Sequence, residues 1–199
     1  MILEIIKLNS NNIDSVVQKS VRILKSGGIV VHPTDTCYGI AADASNPEAV
    51  KKIYQFKGRD YKNPFFIILP DFERFGEYGQ WHSLIKETVR SNPKKMFTFV
   101  VSQKKNVLPY FNPGFKTIGI QIPSHPFSLS MLKKSGLPIV GTSANFSGME
   151  NSYSVKSLIK QIKNTQIYPD LIIDGGRLPF RKPSTIVEIK GGRVNILRK

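Results

Sequence analysis

One cysteine, Cys37, stands in 199 residues, so no disulfide can form within the chain; that usage suits a reducing cytoplasm. With only three histidines beside it, a structural zinc site is excluded as a reading. No apolar run approaches the roughly 18 residues of a membrane span. The start, MILEIIKLNS, is broken by Glu4 and reads as a first strand rather than a secretory signal. The GxxxxGK and GxGxxG phosphate fingerprints are absent, as is the GxSxG elbow. Internal repeats, low-complexity segments and a domain boundary are lacking too, and this length buries an adequate core as one domain, 1–199. Acids are scarce: 14 Asp and Glu against 29 Lys and Arg leave a net charge of +15.

The chain is organised around Gly27-Gly28-Ile29-Val30-Val31-His32-Pro33-Thr34-Asp35-Thr36-Cys37-Tyr38-Gly39-Ile40. An apolar run leaves a double glycine and stops at proline in a polar turn, which reads as a buried strand with a hydroxyl cluster at its carboxyl end. Ligands of open α/β sheets are held at such ends. Around it, Ile13–Lys25 carries apolar residues at helical spacing, and Asn46-Pro47 starts a helix to about Phe56. Lys57 and Arg59 follow at its end. Residues 64–69 and 97–101 read as strands, 81–90 as a helix, and 117–122 as a strand with one solvated face. Ser124 is the expected N-cap of a helix over 125–134. A short strand at 138–140, a helix at 155–163 and a strand at 171–173 precede the hairpin 184–190/193–197, turned at Gly191-Gly192. The fold class is α/β: a single domain with a twisted mixed β-sheet flanked by helices.

Two readings of the positive charge stand side by side. Lys and Arg attract phosphates, so a nucleic acid is one partner class. The lysines, however, come as separated pairs (Lys51-Lys52, Lys94-Lys95, Lys104-Lys105, Lys133-Lys134) without interleaved aromatics, which fits dispersed solvated charge. Cys37, between Thr36 and Tyr38, reads as a buried, inert thiol.

The stretch PTDTCYG, followed in order by Lys57-Gly58-Arg59 with Asn63-Pro64, Thr117-Ile118-Gly119-Ile120, Ser124-His125-Pro126, Gly141-Thr142-Ser143-Ala144-Asn145-Phe146-Ser147-Gly148 and Pro183-Ser184-Thr185-Ile186-Val187, resembles the YrdC-like threonylcarbamoyl-AMP synthases from about Ile13 onward. The resemblance implies a short, single-domain form that condenses L-threonine, bicarbonate or CO2, and ATP into threonylcarbamoyl-adenylate with release of pyrophosphate. It implies Lys57 and Arg59 as the catalytic cations that screen the phosphates, with Mg²⁺ carried by ATP and no protein metal ligands assigned. Thr34, Thr36, Ser143 and Ser184 are expected on threonine, and Asn63, Thr117 and Asn145 on the nucleotide. Gln121 departs from the arginine usual at its position, and Ile68 stands where some relatives have histidine. The implied partners are a tRNA-modifying transferase that accepts the adenylate and weakly bound tRNA or double-stranded RNA, in the cytoplasm and away from membranes. The rival reading is a divergent, non-catalytic module of the same fold that binds tRNA or double-stranded RNA.

Overall fold

The computed structural model describes residues 3–163, 165 and 167–199. Strand β1 (Ile5–Lys7) leads into helix α1 (Ile13–Lys25), which buries Val16, Val17, Val21 and Leu24. Gly27, at φ 77°, turns the chain out of that helix into strand β2 (Val30–Pro33). The polar turn at 34–37 then delivers strand β3 (Tyr38–Ala41), antiparallel to β2. Helix α2 (Pro47–Lys57) is capped as expected: the Asn46 side chain accepts from the Glu48 and Ala49 amides, and Gly58 ends it in the left-handed conformation.

Strand β4 (Phe66–Ile68), helices α3 (Phe75–Tyr78) and α4 (Ser83–Ser91), and strands β5 (Phe97–Ser102) and β6 (Thr117–Gln121) follow. Helix α5 (Pro126–Ser135), strand β7 (Ile139–Ser143), helix α6 (Val155–Ile162), strand β8 (Leu171–Asp174) and the hairpin β9 (Thr185–Lys190) and β10 (Arg193–Arg198) complete the order.

The strands form one mixed sheet in the order β1-β8-β2-β3-β7-β4-β6-β5-β9-β10. Pairs β1/β8, β2/β8, β4/β6 and β5/β9 run parallel and the rest antiparallel. Side chains alternate between the faces. Tyr38, Ile40, Ile67, Ile118, Ile120, Phe97 and Phe99 enter the larger core. On the opposite face, α1 and α5 cover Val30, Ala41, Ile139, Leu171 and Ile173. Beyond α5 this second face carries Gly39 on β3, Gly141 on β7 and Gly119 on β6, with Phe66 of β4 between the last two, so the sheet there is a low floor. An added Cβ on Gly141 would stand 2.2 Å from the Phe66 ring, and one on Gly119 would stand 2.9 Å from the Phe66 Cβ. Strand β10 is exposed at the sheet's edge, with Val194, Ile196 and Leu197 facing solvent.

The structure differs from the sequence reading in four places. Tyr38–Ala41 is a strand of its own, because the small residues that make it inconspicuous are what the floor needs. The strand read as 138–140 extends to Ser143. A short helix at Phe75–Tyr78 adds to the one expected near 81–90. Ser124 is not the cap of α5: His125 holds that position without a side-chain bond, and Ser124 instead donates from its amide (3.0 Å) and hydroxyl (2.6 Å) to Asp35. That pairing ties the β2–β3 turn to the segment before α5.

Candidate functional site

A cavity of about 280 Å³ lies on the glycine floor. One wall is the 34–37 turn, a second the end of β7, a third the Arg59 loop, and the last the β6, β9 and β10 surface. Within the turn, the Thr34 hydroxyl donates to the Cys37 carbonyl (2.7 Å) and accepts from the amides of Thr36 (3.3 Å) and Cys37 (3.4 Å). Its hydrogen-bonding capacity is therefore spent on shaping the turn. Among the described residues the Thr36 hydroxyl meets only the Cys37 sulfur, at 3.8 Å, and stays available to a ligand. Cys37 is 4% exposed, and burial pushes its thiol up, which keeps it protonated and inert as the sequence implies.

Lys57 sits at the last position of α2 yet is only 2% exposed. Its ammonium donates to the carbonyls of Ser143 (2.7 Å) and Asn145 (3.0 Å) and to the Asn145 side chain (3.1 Å). Ser143 donates to the same Asn145 oxygen at 2.5 Å, and Asn145 donates to the Met149 carbonyl at 2.6 Å. Burial first, and then the charge of Arg59, lower Lys57 to about 7. Lys57 is thus a buried anchor beneath the β7 end and not, as its place after the helix implied, a loop cation on the cavity. Arg59 does line the cavity, held by the carbonyls of Asn63 (3.1 Å) and Pro64 (3.3 Å), with its guanidinium 4.9 Å from the Phe65 ring centre.

On the far wall a chain of neutral groups crosses three strands. Ser184 and Thr98 share a hydrogen bond of 2.8 Å, Thr98 donates to Gln121 Oε1 at 3.1 Å, and the Gln121 amide rests on the Met96 sulfur. Thr34, Thr36, Arg59, Gln121, Ser143 and Ser184 therefore meet on one cavity. Asn145 lies just under it with Lys57. Asn63 is exposed and reaches the site through its carbonyl on Arg59. Thr117 stands at the other end of β6, opposite Ser102 and off the cavity lining.

Sequence reasoning missed Arg198. Strands β9 and β10 pair regularly from Arg193↔Lys190 to Ile196↔Val187, and then a bulge brings Arg198 opposite Ile186. The extra residue turns Arg198 onto the cavity face, where its guanidinium donates to the Ser184 carbonyl at 3.1 Å. Without the bulge it would fall on the other face, and strict alternation cannot reveal the switch. His32 was missed as well, because inside an apolar run it reads as a strand residue; it too lines the cavity.

The arrangement defines an α/β protein that presents two arginines and a set of neutral hydroxyls over a glycine floor, which suits an anionic ligand bearing further polar groups. The chain belongs to the Sua5/YciO/YrdC family, described as telomere recombination, whose pattern it matches over residues 22–199. It is 30% identical to a putative threonylcarbamoyl-AMP synthase of Methanocaldococcus jannaschii over 100% of this chain and 92% of that one. It is likewise 30% identical to the threonylcarbamoyl-AMP synthase of Bacillus subtilis, over 87% of this chain and 50% of the relative. Among solved structures, Sua5 of P. abyssi complexed with L-threonine superposes with a TM-score of 0.84 at 25% identity, covering 100% of this chain and 57% of that one. The fold is shared also with E. coli YciO, at a TM-score of 0.83, 23% identity and 95% coverage of YciO. The chain thus spans about half the length of some relatives and nearly all of others. The family resemblance and the single mixed-sheet α/β fold are both borne out. Among the described residues, no helix is long and apolar enough to cross a membrane.

Proposed function

We propose that this protein is a threonylcarbamoyl-AMP synthase, a nucleotidyltransferase that uses L-threonine, bicarbonate or CO2, and ATP. The observation that carries the reading is the meeting, on one cavity, of the 34–37 turn, the β7 end, Ser184 and two arginines, in a chain 30% identical over its whole length to a protein of that name. In the proposed reaction the threonine amine adds to CO2, forming an N–C bond and losing a proton to give a carbamate. A carbamate oxygen then attacks the α-phosphorus of ATP, the bond to the β-phosphate breaks, and pyrophosphate leaves. Two anions must meet in line, so the gain comes from alignment and charge screening rather than from a strong base. Arg59 and Arg198 supply that screening, each able to hold two phosphate oxygens. Lys57 acts from beneath by fixing the β7 end that presents Ser143, and Thr36 and Ser184 face the amino acid.

Magnesium arrives with ATP in this reading. Among the described residues there is no cluster of three His, Cys, Asp or Glu side chains. Asp35, the one carboxylate on the cavity, is engaged by Ser124. The described residues therefore do not fit an ion held by the protein. The product passes to a tRNA-modifying transferase in the cytoplasm. The rival RNA-binding module is not favoured, since RNA binding needs neither hydroxyl cluster.

The test is pyrophosphate release from the pure protein. Release should require ATP, bicarbonate and threonine together. Equal release with threonine omitted would remove the assignment.

A further inference from the structure

His32 is a polar group on the cavity that the proposed reaction leaves unused. It is 2% exposed and shares the floor face with Gly39, its partner across the β2–β3 ladder. Its Nδ1 lies 3.1 Å from the Pro33 carbonyl oxygen. A carbonyl oxygen only accepts, and the pairing that places both protons on it puts the ring proton on Nδ1 and the Ser128 hydroxyl proton on the same carbonyl. Ser128 Oγ, 3.2 Å from Nδ1 and 3.3 Å from the same carbonyl, closes that side of the ring.

A neutral imidazole protonated on Nδ1 has its lone pair on Nε2. Among the described residues Nε2 has no protein partner, and it is not sealed in, unlike the buried unpartnered Nδ1 of His125. It lies beside Gly39, where an added Cβ would be 3.7 Å away. An accepting atom therefore opens onto the cavity from a ring whose orientation the backbone fixes. Burial above all, and then the nearby His125, hold the ring to about 4, while Asp35 acts in the opposite sense. The ring stays neutral through the physiological range.

The ligand atom opposite Nε2 has to be a hydrogen-bond donor. Phosphate and carboxylate oxygens are acceptors and are repelled by the lone pair. The amino group of the amino acid donates, and it keeps one N–H after it becomes a carbamate. Asp35, on the adjoining 34–37 turn, puts negative charge on this side of the cavity, whereas the arginines stand on other walls. We infer that His32 Nε2 accepts the amino N–H of the amino-acid substrate and so sets which end of that substrate faces β2. The inference rests on the function proposed above and adds to it a binding residue on β2.

Its test is equilibrium threonine binding by calorimetry, with melting curves, for the wild-type protein and for His32→Asn, His32→Phe and His32→Gln. Asn reproduces the Nδ1 donor but places nothing at Nε2, Phe keeps only the ring volume, and Gln reaches the Nε2 position with an accepting oxygen. Asn and Phe should weaken threonine binding about 12- to 160-fold, the range of one hydrogen bond made by a charged ammonium. Gln should recover most of the loss, and ATP binding should stay unchanged in all three. 3-Hydroxybutyrate, which is threonine without its amine, should bind the wild-type and Asn proteins equally. Unchanged threonine affinity in Asn and Phe would overturn the inference, as would equal losses for threonine and 3-hydroxybutyrate. Failure of the wild-type protein to bind threonine would overturn both readings. Binding without turnover would count against the reaction alone.

Discussion

Lys57→Met should lower the melting temperature by about 4–20 °C and remove pyrophosphate release. The substitution keeps the side chain's length and apolar stem but deletes its three donors. Asn145 Oδ1 still receives the Ser143 hydroxyl, while the carbonyls of Ser143 and Asn145 lose the ammonium that satisfies them. Two buried acceptors without partners cost about 2–5 kcal/mol. For a chain of this size each kcal/mol moves the midpoint by about 2–4 °C. Activity falls by a second route, because the β7 end that presents Ser143 is no longer held from beneath. The pH dependence has a definite sign. Lys57 titrates near 7 in the fold and at 10.5 ordinarily. Between those values the unfolded chain binds more protons, so stability contributed by this group rises with pH from about 7 toward 10.5. The Met variant should lose that rise. A variant melting within 2 °C of wild type and still turning over would show that Lys57 is not the anchor described.

Gly141→Val is expected to abolish activity at a somewhat smaller cost in stability. A Cβ there would come within 2.2 Å of the Phe66 ring and 3.0 Å of the Ile68 side chain. The backbone of β7 is held between β3 and β4, so the ring has to move, and the open volume beside it is the cavity. Overpacking of this kind costs about 1–3 kcal/mol. A ring displaced into about 280 Å³ leaves no room for an adenylate. Loss of turnover beyond 100-fold is the expected reading, with ATP and threonine both failing to bind in titration calorimetry. Gly76→Ala is the control, since an added Cβ there meets nothing within 4 Å and should change neither quantity. A Gly141→Val protein that binds both ligands normally would show that the floor is not where they lie.

The helices were legible because their signals are local. Asn46-Pro47 marks the start of α2, and both residues appear in the structure in their expected roles. The hairpin at Gly191-Gly192 was equally plain, with both glycines at positive φ. Strand β3 escaped because Gly39 and Ala41 carry little β-propensity; they are chosen for what lies above them. The site was legible as far as motifs with short-range order reach: Thr36, Arg59, Ser143 and Ser184 line one cavity. Two properties depend on distant strands and stayed hidden. The burial of Lys57 is set by the β7 end 86 residues away, and the turn of Arg198 into the cavity is set by a one-residue irregularity in strand pairing.

That irregularity comes at the sheet's edge, and the edge has a colloidal consequence. An exposed strand with open backbone groups and Val194, Ile196 and Leu197 on its surface is a template for further strands. Lys190, Arg193, Arg198 and Lys199 flank those residues, and the whole chain carries +15. Two copies approaching edge to edge bring like charges together before any backbone group can pair. The positive excess therefore keeps the molecules dispersed, whatever else it attracts. Salt shortens the range of that repulsion to about 8 Å at physiological ionic strength and about 3 Å at 1 M, so dispersal weakens as the solution becomes more concentrated in ions.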